Sequence, residues 1–254
     1  MYSFNLNNKN ILITGSSNGI GASIALAVAK MRANVIVNYY SSEQKATQLV
    51  DKIKNLGVQA IAIQADVSNE NNVKNLLNQT NLFFSGKLDV LINNAGNIFD
   101  SVLVKNMDLA LWEKTLCTNL TSTFLVCKYA IPLIEKSVNG KIINMSSVAA
   151  HNGGGPGTTA YAASKAAIRA FSKGLAKELA PKITVNCIAP GIIDTKIHKA
   201  YISDEQRQKN LNRIPLNREG HTDDIIGTAI FLASDFSNYI TGETIEVNGG
   251  LYMN

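Results

Sequence analysis

Short apolar runs rich in isoleucine and valine alternate along the chain with longer stretches that are compatible with helices. This alternation is typical of a parallel sheet that is covered by helices on both faces. The apolar runs predict strands over Asn10 to Thr14, Asn34 to Asn38, Ala60 to Gln64, Val90 to Asn93, Lys141 to Met145, Thr184 to Ile188 and Thr244 to Val247. The longer stretches predict helices that include Ile20 to Lys30, Ser42 to Leu56, Glu70 to Phe84, Leu109 to Glu135, Ala160 to Leu179 and Asp223 to Leu232.

Seven strands with crossover helices predict an α/β fold with a doubly wound, mostly parallel sheet. No linker divides the chain, so we expect one domain over residues 1–254, and the 46% hydrophobic composition allows it a large core. Ligands of such sheets bind outside the carboxyl ends of the strands, where the winding direction reverses. The residues that suggest chemistry fall at these strand ends or on the helices that follow them.

Composition narrows the possible classes of protein. The apolar stretches are too short and too interrupted to span a bilayer, and no basic segment followed by a long apolar one opens the chain, so we expect a soluble, cytoplasmic protein. The net charge of +5 comes from lysines and arginines scattered among acids, which indicates a solvated surface and no nucleic-acid partner. Cys117, Cys127 and Cys187 lack metal-ligand spacing, and we expect reduced core residues and no metal site.

A glycine-rich loop joins the first predicted strand to the first predicted helix. Its candidate contacts to a pyrophosphate are Gly15, Ser17, Asn18, Gly19, Ile20 and Gly21. The glycines allow unusual backbone angles and a close approach of the chain to phosphate, and the helix N-terminus offers amide donors to an anion. The alternative is a glycine-rich turn without a ligand, because the spacing G-x-x-x-G-x-G differs from the common dinucleotide fingerprint.

Tyr161 and Lys165 lie four residues apart on a predicted helix and therefore on one of its faces. A nearby ammonium favours the phenolate and lowers the pKa of a tyrosine, which is ordinarily about 10, toward the pH of a cell. A tyrosine of this kind can act as a general acid or base. The competing interpretation is a surface tyrosine beside a surface lysine.

Together, four motifs make the chain resemble the short-chain dehydrogenase/reductase family. The motifs are Thr14-Gly15-x-x-x-Gly19-x-Gly21, Asn93-Asn94-Ala95-Gly96, the pair Tyr161 and Lys165, and Pro190-Gly191. The resemblance extends from Lys9 to Gly250 and is greatest to 3-oxoacyl-carrier-protein reductases and sugar dehydrogenases. It implies a single Rossmann-type domain that transfers hydride between a nicotinamide cofactor and a carbonyl or alcohol.

The resemblance also implies a catalytic tetrad of Asn119, Ser147, Tyr161 and Lys165. In relatives the serine hydroxyl donates to the substrate oxygen, the tyrosine exchanges its proton, the lysine lowers the tyrosine pKa and holds the nicotinamide ribose, and the asparagine acts at a helix kink to hold a water. Ser147 lies one residue farther from Tyr161 than is common in the family. The glycine-rich loop between them, residues 151–159, is expected to absorb the extra residue.

Further cofactor contacts follow from the resemblance. They are Asp66 and Val67 at the adenine, Asn93, Ala95 and Gly96 beside the adenosine ribose, and Pro190, Gly191, Ile193 and Thr195 at the nicotinamide. On sequence alone Asp66 also fits a cap of the next helix, and the asparagines also fit a turn that satisfies its own backbone.

The second strand end bears on the choice of nicotinamide cofactor. A carboxylate there normally binds the ribose 2′-hydroxyl of NAD, but the first acid in this segment is Glu43. Asn38, Tyr39 and Ser41 stand in its place. Asn38, Ser41 and Ser42 are expected to donate to a 2′-phosphate, and Lys45 is expected to supply charge. The sequence therefore favours NADP(H) over NAD(H).

The substrate and partners stay open at this point. A polar segment at about 194–215 predicts a substrate lid, and His151 and His198 are expected at the loop surface or against the substrate. Lys182 fits a docking site for an acyl carrier protein, although residues 135–139 supply one lysine where more charge is expected. A small ketone or a sugar fits equally, and a dinucleotide sensor without turnover is disfavoured because the whole tetrad is present. By resemblance we expect a homotetramer.

Overall fold

Seven strands form one sheet within the part of the chain that the computed structural model describes, residues 4–194, 208–209 and 211–253. The strands are β1 (Asn10–Ile13), β2 (Asn34–Tyr39), β3 (Ala60–Gln64), β4 (Val90–Asn93), β5 (Gly140–Met145), β6 (Ile183–Pro190) and β7 (Thr244–Val247). Their order is β3-β2-β1-β4-β5-β6-β7, and all neighbouring strands are parallel. The winding reverses between β1 and β4, so the predicted α/β fold is confirmed, and a ligand is expected at the carboxyl end of that junction.

Helices cover both faces of the sheet. In the described residues they are α1 (Gly19–Lys30), α2 (Glu43–Lys54), α3 (Glu70–Phe83), α4 (Leu109–Leu116), α5 (Ser122–Ile134), α6 (Ala149–Asn152), α7 (Thr159–Leu179) and α8 (Thr222–Ala233). Side chains alternate between the two faces along each strand. Ile11 and Ile13 pack in the core with α1, α2 and α8, and Leu12 packs in the core with α3, α5 and α7.

The stretch predicted as one helix over Leu109 to Glu135 is interrupted. A π-helical turn, Cys117–Thr121, separates α4 from α5 and inserts one wider turn into the helix. The short helix α6 is not among the predicted helices, and its last two residues lie in the glycine-rich loop of residues 151–159. Sequence periodicity misses both features because each depends on contacts with distant segments.

The described residues can be compared with two predictions made from composition, which concern membrane-spanning segments and the cysteines. Among them, no helix is long and apolar enough to cross a membrane. The three cysteines are free thiols, and Cys127 and Cys187 are buried. Burial raises the pKa of the Cys127 thiol to about 12, which keeps it protonated and unreactive.

Lys141, at the start of β5, is a buried cation far from the carboxyl ends of the strands. Its side chain is 1% exposed, and its Nζ donates to Asn238 Oδ1 at 2.6 Å and to Ser237 Oγ at 3.2 Å. Burial lowers the pKa of Lys141 to about 8, although the negative charge of Asp235 opposes the shift. The unfolded chain therefore binds more protons than the folded one between about pH 8 and the ordinary lysine pKa of 10.5.

Replacing Lys141 tests this burial. Folding depresses the pKa of Lys141. When the pH is raised from about 7.5 to about 9.5, the unfolding free energy of wild type should therefore rise by up to about 2 kcal/mol more than that of Lys141→Met. Urea denaturation at the two pH values measures the difference, with Lys173→Met, at an exposed position of α7, as the control. An equal pH dependence in wild type and Lys141→Met would contradict the assignment.

Candidate active site

The glycine loop is pressed against the end of β4. Gly15 has a φ of +59°, and a Cβ there would lie 2.9 Å from Ala95 Cα. A Cβ on Gly21 would overlap the side-chain nitrogen of Asn94. Thr14 Oγ1 accepts from the backbone nitrogens of Asn94 and Ala95, each at 3.0 Å. Only glycine fits at positions 15 and 21. The hydrogen bonds of Thr14 join the end of β1 to the end of β4.

Asn38 supports the loop from inside, and its predicted contact with a phosphate is wrong. Its side chain is buried, with Oδ1 accepting from Gly15 N at 3.0 Å. Its amide nitrogen donates to the carbonyls of Tyr39, Ile63 and Ala65. The donors are therefore taken by the backbone. The neighbouring Tyr39 side chain is also buried, whereas Ser41 is exposed at the end of β2.

The start of α1 fits an anionic group. Asn18, the N-cap residue, makes no side-chain capping bond, and the first turn of α1 holds no acidic residue. Ser17 is partly exposed, Asn18 and Gly19 are exposed, and nothing lies within 4 Å of where a Gly19 Cβ would be. Free amide donors and the helix dipole at such an end favour a phosphate. The loop thus offers free amide donors and a favourable helix dipole to an anion.

Asn93 belongs to a polar network under the sheet, and its place beside a ribose stays a prediction. Its side chain is buried, and its amide nitrogen donates to Asn144 Oδ1 at 2.8 Å and to Cys127 Sγ at 3.2 Å. Asn144 in turn donates to Ser172 Oγ on α7 at 2.8 Å. The side chain of Asn93 therefore joins β4, β5 and α7.

The other predicted adenosine contacts lie at strand ends beside the loop. Asp66 follows β3, and its Oδ1 accepts from the nitrogen and hydroxyl of Ser68 at 2.9 and 2.6 Å. It does not cap α3, because the side chain of Asn69 has that role. Val67 is buried, and Ala95 and Gly96 are partly exposed.

Asn119 sits inside the π-helical turn, with 0% of its side chain surface exposed. Its amide nitrogen donates to Asn97 O at 2.9 Å and to Thr115 O at 3.0 Å, and its Oδ1 accepts from Asn97 N at 3.1 Å. The wider turn leaves a carbonyl at Thr115 that the asparagine satisfies. The side chain therefore fastens the helix interruption to the loop after β4.

Lys165 lies beneath Tyr161 on α7 and is 4% exposed. Its Nζ donates to Met145 O at 2.8 Å and lies 5.7 Å from the centroid of the Tyr161 ring. A Cβ on Gly96 would stand 2.6 Å from Asn119 Oδ1 and 3.2 Å from Lys165 Nζ, so a glycine is needed there. Burial lowers the pKa of Lys165 to about 8.

Tyr161 and Ser147 face each other across the carboxyl end of β5. Burial raises the pKa of Tyr161, and a hydrogen bond with the Ser147 side chain acts in the opposite direction. Lys165 Nζ donates to the Met145 carbonyl, and the lowering of the Tyr161 pKa by this ammonium stays a prediction. The phenol keeps its proton at neutral pH. That state suits an acid that protonates a developing alkoxide.

The segment after β6 is held by the C-terminal residues. A Cβ on Gly191 would lie 2.7 Å from Asn248 Cα, and Ile193 forms a parallel bridge with Gly220. Pro190 ends β6 and is buried. Thr195, His198 and most of the predicted lid at 194–215 lie outside the described residues.

Sequence reasoning missed several positions that build the site. Thr14 and Asn94 were quoted within motifs but not as residues that join the two loops. Ser146 carries no predicted role, yet its Oγ donates to Lys165 O at 3.0 Å. His151 was expected at a surface or a substrate, but its side chain is 4% exposed and paired with Glu246. Such partners come from distant segments, so no local pattern signals them.

Comparisons with known proteins find relatives over nearly the whole chain. A family model described as Enoyl-(Acyl carrier protein) reductase matches residues 15–252. The 3-oxoacyl-(acyl-carrier-protein) reductase FabG of Staphylococcus aureus is 45% identical over 246 residues, which cover 96% of this chain and 98% of that protein. A 3-oxoacyl-(acyl-carrier-protein) reductase of Synechocystis is 42% identical over 244 residues, which cover 95% of this chain and 96% of that protein.

Solved structures are similar over the same extent. A 7 alpha-hydroxysteroid dehydrogenase, in complex with NADH and 7-oxo glycochenodeoxycholic acid, has a TM-score of 0.93 at 34% identity and covers 100% of both chains. The NADH-dependent reductase A1-R′, responsible for alginate metabolism, has a TM-score of 0.90 at 31% identity, covering 98% of this chain and 99% of that one.

Two glycines of the loop should respond differently to a methyl group. Gly15→Ala should lower the unfolding free energy by well over about 1 kcal/mol, because the strain of a positive φ adds to the steric overlap of the new Cβ with Ala95. Gly19→Ala has the same φ penalty but open space, so it should fold and yet raise the NADPH dissociation constant at least about tenfold.

Thermal unfolding and fluorescence titration with NADPH measure the two effects. Gly174→Ala is the control, since Gly174 lies within α7 with nothing near its Cβ position. It should stabilise the helix and leave NADPH binding unchanged. Wild-type affinity in Gly19→Ala would show that no phosphate lies on this loop.

Proposed function

We propose that this chain, an NAD(P)-dependent oxidoreductase that belongs to the short-chain dehydrogenase/reductase family, reduces the 3-oxo group of an acyl thioester carried by an acyl carrier protein. One observation carries the chemistry: the ammonium of Lys165, 4% exposed, lies 5.7 Å from the centroid of the Tyr161 ring at the strand end that also carries Ser147. The relatives that are named 3-oxoacyl-(acyl-carrier-protein) reductases support the substrate class.

In this proposal two side chains bind the carbonyl oxygen of the substrate, and one of them protonates it. The hydroxyls of Ser147 and Tyr161 donate to the carbonyl oxygen, which orients the carbonyl and stabilises negative charge on it. The proton of Tyr161 passes to this oxygen as the alkoxide forms. Burial supports this direction, because it keeps the phenol protonated until charge develops beside it.

Lys165 stabilises the tyrosinate that is left behind. Its ammonium lies 5.7 Å from the ring centroid, in a region of low dielectric where a single charge acts strongly. Asn119 holds the helix interruption beside it and is assigned the fourth place in the tetrad. When bound, a reduced nicotinamide supplies the hydride, which the side chains of the protein cannot provide.

The same residues fit a nicotinamide dinucleotide. We assign its pyrophosphate to Gly15, Ser17 and the first turn of α1, its adenosine to Asp66, Val67, Ala95 and Gly96, and its nicotinamide end to Tyr161, Lys165, Pro190, Gly191, Ile193 and Thr195. Asn18, Gly19, Ile20 and Gly21 complete the loop. Tyr39 and Ser41 stay assigned to the adenosine end, where the backbone and the exposed serine hydroxyl are the donors.

We infer that NADPH is the preferred cofactor. No carboxylate follows β2 before Glu43, and Ser41 and Lys45 are exposed there. Both favour a 2′-phosphate over a hydroxyl. Two solved relatives are described with NADH, which makes a titration with both reduced cofactors the decisive comparison.

We also propose that the chain works as a cytoplasmic homotetramer with a substrate lid at about 194–215. Exposed apolar side chains on α4 and α5, such as Leu109 at 68% and Phe124 at 44%, support an association of copies through these helices. Multi-angle light scattering should give four times the chain mass of 27.4 kDa. A mass of one chain would contradict the assembly.

Tyr161→Phe separates proton transfer from cofactor binding. The variant keeps the ring but loses the acid, so kcat for carbonyl reduction should fall at least about a hundredfold while the NADPH dissociation constant stays within about twofold. Stopped-flow oxidation of NADPH and fluorescence titration measure the two quantities. Substantial turnover in this variant would remove Tyr161 from the catalytic role.

A substrate panel separates the alternatives that share this site. We expect the greatest kcat/KM with a 3-oxoacyl group on acyl carrier protein, because relatives that are 42% and 45% identical are named 3-oxoacyl-(acyl-carrier-protein) reductases. A 2-enoyl thioester tests the reaction that the family description names, and 7-oxo glycochenodeoxycholic acid tests the steroid ketone of a solved relative. Greater kcat/KM with either compound would replace the proposed substrate.

A further inference from the structure

The chain between Ser147 and Tyr161 does not itself fix the distance between their hydroxyls. It contains Gly153, Gly154 and Gly157, whose φ angles are +79°, +75° and +84°. Glycine suits these positive φ angles, and the loop makes backbone hydrogen bonds such as Val102 N to Gly157 O at 3.1 Å. Side chains outside the loop add further contacts between α6, which follows Ser147, and α7, which carries Tyr161.

A buried set of side chains supplies these contacts. His151 on α6 has 4% of its side chain exposed, and Arg169 Nη1 lies 2.8 Å from His151 Nδ1. The other ring nitrogen, Nε2, lies 2.5 Å from Glu246 Oε1 on β7. Arg169 Nε also donates to Thr244 Oγ1 at 3.4 Å. One imidazole thus joins three elements of the fold.

Hydrogen-bond chemistry fixes the state of the imidazole. A guanidinium can only donate, so His151 Nδ1 must accept from Arg169. The proton of the neutral ring is then on Nε2 and is donated to the Glu246 carboxylate. An aromatic ring without these two polar atoms fills the same space but makes neither bond.

The partner of His151 stands on the catalytic face of α7. Tyr161, Lys165 and Arg169 follow one another at intervals of four residues and so share one side of the helix. The contact between His151 and Arg169 therefore holds the same side of α7 that the bond from Lys165 Nζ to Met145 O holds one turn earlier. On the other side, Ser147 Oγ accepts from Ala149 N at 3.1 Å, which ties the serine to the first residue of α6.

The same imidazole orders the residues after β7. Its ring stacks on that of Tyr252, with centroids 4.1 Å apart. Asn248 Nδ2 donates to Glu246 Oε2 at 3.2 Å and to Tyr252 O at 3.0 Å, and Asn248 packs on Gly191. The C-terminal segment therefore connects the histidine to the loop assigned to the nicotinamide.

We propose that His151 is a positioning residue that sets the separation of the Ser147 and Tyr161 hydroxyls by joining α6 to Arg169 and Glu246. This inference rests on the proposed function, because it assigns the His151 contacts to the geometry of the two donors. His151 itself touches neither substrate nor cofactor in this proposal. A displacement of about 1 Å between reacting groups can lower a rate about a hundredfold.

The test compares His151→Phe with His151→Gln. Phenylalanine keeps a ring for Tyr252 but loses both hydrogen bonds, so kcat for 3-oxoacyl reduction should fall at least about tenfold while KM and the NADPH dissociation constant stay within about twofold. Glutamine offers a carbonyl oxygen to Arg169 and an amide hydrogen to Glu246, and should restore kcat to within about threefold of wild type.

Arg169→Ala should reproduce the loss of kcat, and Lys173→Ala, one turn farther along α7 at an exposed position, should not. Wild-type kcat in His151→Phe would overturn the proposal. So would a joint loss of kcat and NADPH affinity in both histidine variants, since that pattern indicates a general folding defect.

Hydrogen exchange distinguishes this proposal from the proposed function. Amides of residues 149–158 should exchange faster in His151→Phe than in wild type or His151→Gln, whether or not a substrate is turned over. If wild type reduces no 3-oxoacyl thioester, the proposed function fails and exchange alone decides the role of His151. Equal exchange in all three proteins would overturn that role.

Discussion

The hydrogen bond from the buried Lys165 ammonium to the Met145 carbonyl joins α7, which carries Tyr161, to β5, which precedes Ser147. The adjoining bond from Ser146 Oγ to Lys165 O repeats the connection through the backbone. Since Ser147 follows directly, these two bonds place α7 over the carboxyl end of β5. A buried ammonium is stable only with such partners, so the site depends on this contact.

A glycine leaves space for the Lys165 ammonium, and buried amide side chains hold the elements around it. Gly96 leaves space where any Cβ would press on Asn119 and Lys165. The π-helical turn directs Asn119 to the loop after β4, and the chain from Asn93 through Asn144 to Ser172 ties α7 to the sheet below. Apart from Asn93 Oδ1, which has no hydrogen-bond partner among the described residues, the polar groups named here are paired with each other, which makes the arrangement rigid.

Apolar runs along the chain predict the sheet, and the resemblance to a family implies the tetrad, but neither gives the supporting contacts. Strands such as Asn10–Ile13 are evident from their buried side chains, and the spacing of Tyr161 and Lys165 holds on any helix. In contrast, the inward direction of Asn38 depends on which face of β2 it occupies. The burial of His151 depends on β7, almost a hundred residues later, and sequence spacing carries no information about that contact.

The central claim is that a protonated Tyr161 acts as the acid beside a charged Lys165. The most direct measurement is the pH dependence of the single-turnover rate of 3-oxoacyl reduction with saturating NADPH. Lys165 is charged below its pKa of about 8 and neutral above it. The rate should therefore be level at lower pH and fall as the pH rises through about 8. A rate that increases across this range would contradict the claim.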